Sequence, residues 1–219
     1  MPDGGSTGIG ASVKRKEDYR FLVGEGNYTD DINRPNQTYT YMLRSSSAHA
    51  KFSIDTSKAS KAKGVVKIFV GTDMEVGSIP CGWQVDSKDG TPMREPAHPP
   101  IAKDKVRYVG EIIAVIIAES LEDAKNAAEL IDVNYDDIPV IIDMQDALDN
   151  SKGLVHDEIE SNVCYDWELG DNEAVDKAIS EAAHITTLDI RNNRLIPNAM
   201  ETRSAIGDYE HATGQYTLY

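Results

Sequence analysis

The sequence predicts an α/β fold, more closely an α+β one, with a mixed sheet and β-α-β units. Three observations carry that expectation: apolar runs of strand length, helical segments lying between them, and Gly, Pro, Asn or Asp at the junctions. The chain opens with a glycine-rich tail, Gly4 to Gly10, and Ser12 is placed to cap a short helix over Lys14 to Arg20. Gly24 and Gly26 punctuate "LVGEGNYTDDI", which reads as a turn leading into a strand. "TYTYMLRSS" is rich in β-formers and partly alternating, so it reads as a strand. In "AKFSIDTSKASKAKGVVKIFVGTDM" a strand, a short helix from about Thr56 and a buried strand over Val65 to Val70 make one β-α-β unit. The segment from Gly77 to Pro100 carries Pro80, Pro92, Pro96, Pro99 and Pro100 with Gly82 and Gly90. Such a run predicts a long surface excursion with little regular structure.

The strongest pattern follows. Ile112 to Ala118 is a continuous apolar run, as a central strand covered on both faces requires. Ser120 is placed to cap the next helix with Asp123 three residues on, and Leu121, Ala124, Ala127, Ala128 and Ile131 mark its buried stripe. "IDVNYDDIPVII" returns as a strand and "DMQDALDN" closes as a short helix, giving a second β-α-β unit that brings its strands back into one sheet. Residues 151–163 read as a linking loop. Asp171 then caps an amphipathic helix running to Ala183, with Ala174, Val175, Ala178, Ile179 and Ala182 on its apolar face. "HITTLDIRNNRL" alternates as a strand with one exposed face, and "SAIGDYE" and "GQYTLY" flank the turn "HATG" of a final hairpin.

With 27% charged and 40% apolar residues in 219, the composition is that of a globular chain able to bury a core. The net charge of −15 repels phosphate backbones, so nucleic acid is not an expected partner. No signal-peptide core and no run of membrane-spanning length is present in the sequence, and a cytoplasmic location is expected. Cys81 and Cys164 belong to no C-x-x-C pair, and His49, His98, His156, His184 and His211 share no ligand spacing, so no metal motif emerges. There is no P-loop, no G-x-S-x-G elbow and no dinucleotide fingerprint. Carboxylates at helical spacing among lysines read as solvated helix faces. Two groups of polar residues stand out. Glu201 and Arg203 follow a proline turn beside Asn192, Asn193 and Asn198, while Trp83, Met93 and Arg94 are candidate small-molecule contacts within the Pro-rich segment.

Taken together, "IGASVKRKEDYRFLVGEGNYTDDI", "RSSSAHAKFSIDTSKA", "GVVKIFVGTDM", "PPIAKDKVRYVGEIIAVIIAES", "NYDDIPVIID" and "NRLIPNAMETRSAIGDYE" resemble the large, molybdopterin-binding subunit of the molybdenum hydroxylases. That is the family of xanthine dehydrogenase, aldehyde oxidase and aerobic carbon monoxide dehydrogenase. The likeness runs in unbroken order from about Ile9 to Tyr219 and is greatest to the carbon-monoxide-dehydrogenase type. It implies a tail and short helix over 1–20, an α/β hammerhead domain over 21–148, and a linker with the incomplete start of the first molybdopterin-binding domain over 149–219.

Members of that family oxidise a small-molecule substrate by hydroxylation at a molybdenum–pterin centre, with oxygen from water and electrons leaving through iron–sulfur clusters and FAD. The resemblance therefore implies molybdenum-molybdopterin in the full-length subunit, with FAD and 2Fe-2S clusters on partner subunits. The family's catalytic glutamate and its metal-facing loop lie far downstream, so no catalytic or metal-ligating residue is expected here. Asn198, Glu201 and Arg203 would frame the cofactor site only from behind the residues that touch it. Thr202 stands where many relatives have proline, which alters the turn expected at "NAMETR". The leading expectation is the N-terminal part of such a large subunit, truncated and inactive alone. The alternative is a free-standing hammerhead module for assembly or docking, without catalysis.

Overall fold

The computed structural model describes residues 8–11, 13–193 and 195–219. It divides into two compact units, one of Thr38–Leu188 and the other of Met1–Gln37 with Asp189–Tyr219. The expected cap Ser12 and the start of the glycine-rich tail lie outside the described residues.

The unit Thr38–Leu188 is built on β5 (Ile112–Ala118), the continuous apolar run. It is the middle strand of a three-stranded antiparallel sheet, between β1 (Tyr39–Arg44) and β3 (Val65–Val70). Its alternate side chains face different neighbours. Ala114, Ile116 and Ala118 pack against Ala124, Ala127 and Ala128 of the helix α2 (Leu121–Ala128), whereas Ile113 packs with Ala50, Ala102 and Val106. Coverage on both faces is why the run has no polar alternation. The alanines of α2 let helix and strand backbones approach closely.

A second antiparallel sheet has β2 (Ala50–Asp55) between β4 (Lys105–Val106) and β6 (Asp132–Asp137). The α/β class expected from the sequence stands, with one correction. The strands around each helical segment do not return to one sheet: β2 and β6 join one, β3 and β5 the other, and every pairing is antiparallel rather than mixed. For the first unit the reason is length. Residues 56–64 hold only a 3-10 turn at Ala59–Lys61, too little chain for a parallel crossover. Gly71, just past β3, is fixed by close approach, because any Cβ there would strike the Ala102 carbonyl.

α2 begins as expected, with the Ser120 hydroxyl accepting from the Asp123 N–H at 3.0 Å. Ala124, Ala127, Ala128 and Ile131 are buried, but Leu121 is 43% exposed and faces away from the core. β6 stops at Asp137, before Pro139 would interrupt its ladder. The short helix α3 (Met144–Leu148) follows, capped by Asp143. Residues 77–100 have no helix or strand, only an isolated bridge between Asp86 and Pro92, as the prolines predict. The helix α4 (Asn172–Ser180) is capped by Asp171 and ends three residues short of Ala183.

In the unit of Met1–Gln37 with Asp189–Tyr219, α1 (Asp18–Leu22) starts later than expected, and its N-cap Glu17 makes no side-chain cap bond. The strand expected after Gly26 is instead a 3-10 turn at Thr29–Asp31, closed by the Tyr28 N–H donating to Asp31 Oδ2 at 2.9 Å. The final hairpin forms as read: β7 (Gly207–Glu210) pairs with β8 (Gln215–Leu218), and Gly214 takes the left-handed conformation, φ 72°, that ends the turn. Tyr209 and Tyr216 oppose each other across it, ring centroids 4.6 Å apart. Arg34 reaches the same hairpin, lying over the Tyr219 ring and 3.8 Å from Asp208 Oδ2. The strand expected over 184–195 is absent among the described residues, which are exposed there and pair with no described neighbour.

Candidate functional site

The densest polar cluster gathers where β4 and the turn after it meet the loop 153–158. Lys105 is buried at 7% exposure, and its Nζ donates to both Asp157 oxygens, at 3.0 and 2.9 Å. Glu111, equally buried, accepts at Oε2 from the Arg107 N–H at 2.6 Å. His49 Nδ1 lies 2.9 Å from the Pro139 carbonyl. A carbonyl can only accept, so Nδ1 carries the proton of this hydrogen bond, and the other ring nitrogen is Nε2. That Nε2, Arg107 Nε and His156 Nδ1 are all buried without a hydrogen-bond partner among the described residues. His156 Nδ1 is 3.5 Å from Glu158 Oε1, near enough for attraction but not for a formed hydrogen bond.

Burial, and then the Arg107 charge, hold the His156 imidazole below its ordinary pKa. The hydrogen bond from Lys105 holds the Asp157 carboxyl below the usual carboxylate range. The loop itself is tied by Asn162, whose side chain accepts from the Val155 N–H and donates to the Gly153 carbonyl, both at 2.9 Å. This arrangement fastens a loop to a sheet. Sequence reasoning missed it, because a lysine in "KDKVRY" carries no sign of burial and Asp157 is distant in the chain.

The Pro-rich segment is fastened in a similar way. Arg94 donates its N–H to the Cys164 carbonyl at 2.9 Å and Nη1 to the Val163 carbonyl at 3.0 Å, while the Lys88 N–H donates to the Asp166 carbonyl at 2.7 Å. Lys88 Nζ also pairs with Asp166 at 3.0 Å. Of the three candidate contacts, Arg94 is engaged in this clasp, half-buried Met93 accepts at Sδ from the Val85 N–H, and Trp83 is 79% exposed. They do not converge on a pocket.

Asn198, Glu201 and Arg203 lie on an exposed extended segment. The Asn198 N–H donates to the Ile196 carbonyl at 2.8 Å, and no side-chain hydrogen bond or ion pair of the three is found among the described residues. The structure therefore places them near one another in sequence without assembling them into a site.

Two family models match the chain in tandem. Residues 23–139 match the a/b hammerhead domain of aldehyde oxidase and xanthine dehydrogenase, and residues 155–219 match a molybdopterin cofactor-binding domain. The chain belongs to the aldehyde oxidase and xanthine dehydrogenase family. It is 28% identical to the carbon monoxide dehydrogenase large chain of Afipia carboxidovorans, over 97% of this chain and 27% of that one. To the nicotine 6-hydroxylase large subunit of Paenarthrobacter nicotinovorans it is 32% identical, over 96% of this chain and 25% of the relative. Among solved structures, a Cu,Mo-CO dehydrogenase superposes with a TM-score of 0.80 at 28% identity, covering 96% of this chain and 27% of that one. Quinoline 2-oxidoreductase from Pseudomonas putida 86 superposes with a TM-score of 0.78 at 29% identity, over 94% and 26%. The chain thus spans about a quarter of the length of these relatives and matches the N-terminal portion of molybdenum-pterin hydroxylase large subunits.

Molybdopterin is the family's cofactor, and the residues present do not by themselves enclose one. From Cys164 onward nearly every described residue of the matching region is exposed, and Asn198, Glu201 and Arg203 lie on an exposed segment. Among the described residues no group of His, Cys, Asp and Glu is placed to hold a metal ion.

Proposed function

We propose that the chain serves as the N-terminal portion of the large subunit of a molybdenum-pterin hydroxylase of the carbon monoxide dehydrogenase type, oxidising a small-molecule substrate. The observation that carries this reading is the tandem match of hammerhead and molybdopterin-binding models, within alignments that span nearly the whole chain. In this reading 21–148 is the hammerhead domain and 149–219 begins the first cofactor domain, after a tail and short helix over 1–20. The reacting groups come from polypeptide corresponding to the rest of the relatives' length, and the 219 residues contribute no catalytic residue. Asn198, Glu201 and Arg203 stand behind the groups that touch the cofactor. FAD and 2Fe-2S clusters sit on partner subunits, and the assembly is cytoplasmic.

The test is composition of the assembly. The chain, tagged and isolated from its own cells under native conditions, should co-purify with molybdenum, a pterin detectable by its fluorescence after oxidation, flavin, and non-haem iron. A tagged chain recovered without molybdenum and pterin, under conditions where a known family member keeps both, would overturn the reading. Glu201→Gln in that assembly should leave pterin bound while changing turnover. Unchanged turnover would remove Glu201 from the site.

A further inference from the structure

The cluster around Lys105 holds three nitrogens that its direct contacts leave unused. The pairing of β2 with β4 sets Lys51 opposite Lys105 and Ala50 opposite Val106, so the next step of that register brings His49 opposite Arg107. Residues opposite one another in an antiparallel pair share a face, as do residues two apart on one strand. His49, Lys105 and Arg107 therefore lie on the face of the second sheet where Lys105 holds Asp157 of the loop 153–158. The charges gathered there are mixed in sign: Lys105 and Arg107 stand with Asp157, Glu111 and Glu158. Left over are His49 Nε2, Arg107 Nε and His156 Nδ1, each buried and without a hydrogen-bond partner among the described residues. His49 is only 4% exposed, so bulk solvent does not serve its Nε2.

Buried polar atoms in folded proteins find partners, and where the protein offers none an internal water supplies them. The chemistry of this set selects that occupant. A cation would meet Lys105 and Arg107, and an anion would meet Glu111, Asp157 and Glu158. Arg107 Nε–H can only donate, whereas an imidazole nitrogen accepts or donates according to its proton. A neutral molecule that does both satisfies all three. We propose that His49 Nε2, Arg107 Nε and His156 Nδ1 form a binding site for one ordered water, which bridges the second sheet to the loop 153–158. His49 and Arg107 belong to the region matched by the hammerhead domain and His156 to the start of the region matched by the cofactor-binding domain, so the water is a joint between the two. It also couples His49 to the loop, to which that side chain makes no hydrogen bond of its own among the described residues. The inference concerns residues of this chain alone and does not depend on the function proposed above.

A crystal structure of the chain, at a resolution that shows ordered solvent, tests the site. One water should lie about 2.7–3.2 Å from at least two of the three nitrogens. No water within that distance of two of them, an ion in its place, or the nitrogens closed directly onto protein groups such as Glu158 Oε1 overturns the proposal. Hydrogen exchange of residues 155–158 tests the coupling, at about pH 8 and so well above the ordinary imidazole value of about 6.5. His49→Phe and His156→Phe should each open the loop at least about tenfold more often, and the double variant no more than about threefold beyond the more open single one, since either change removes the bridge. An unaltered loop in His49→Phe, or opening factors that multiply in the double variant, overturns the bridge. Wild-type protection of β5 and α2 shows that the variants stay folded, and the crystallographic result needs no variant.

Discussion

A buried ammonium is costly unless its charge is met, and Lys105 meets it at Asp157. Removing that partner leaves Lys105 uncompensated. Asp157→Ala should destabilise the unit Thr38–Leu188 by about 2 kcal/mol in urea unfolding, below the ~3–5 kcal/mol of a fully buried pair because the Asp157 side chain is 73% exposed. Since the folded Asp157 pKa is depressed, the pair's contribution is complete above the ordinary carboxylate value of about 4 and is lost as pH falls through the folded one. The difference between wild type and variant should therefore shrink in strongly acidic solution. His156 acts in a higher window. Its folded pKa is also depressed, so neutral imidazole favours the docked loop above the ordinary value of about 6.5, and protonation at lower pH opposes it. Amides of 153–158 should lose protection as pH falls below about 6.5 once the intrinsic exchange rate is divided out, and His156→Gln should flatten that profile.

At the scale of elements, α2 shows what a local pattern can specify. Ser120 both accepts from the Asp123 N–H and donates to Asp123 Oδ2 at 2.6 Å, so the cap is closed by residues three apart. Ser120→Ala should cost about 1 kcal/mol, measurable by thermal or urea unfolding. The capping pattern and the alanine stripe were legible because each depends on neighbours along the chain. The same periodicity misassigned Leu121, for the first turn of a helix can rotate its residue off the sheet. β5 was legible as a central strand because coverage on both faces leaves an unbroken apolar run. The 184–195 segment shows the converse. Its alternation is a strand pattern, but a strand exists only where another backbone accepts its hydrogen bonds, and the described residues supply none.

At the scale of the whole chain, burial is unevenly distributed. The buried apolar residues fall between Ala50 and Ile131, and from Cys164 onward nearly every described residue is exposed. Brief chymotrypsin treatment of the isolated chain should therefore cut first at exposed sites such as Trp83, Trp167, Leu188 and Leu195, and leave resistant fragments that retain β1 to β3 and β4 to β6. Mass spectrometry of the products checks this; early cuts at the Phe52 or Tyr135 side of the second sheet would contradict it.

The sequence by itself determined the α/β class, the capped helices, the central strand and the terminal hairpin, and its motifs in series marked the family. Each is a short-range pattern or a comparison along the chain. Only the tertiary structure decided that the strands divide between two antiparallel sheets, that Lys105 is buried beneath Asp157, and that residues 77–100 are clasped to 163–166. Those outcomes depend on which distant segments meet, and hydrophobic periodicity records the face a residue presents without recording the partner it meets.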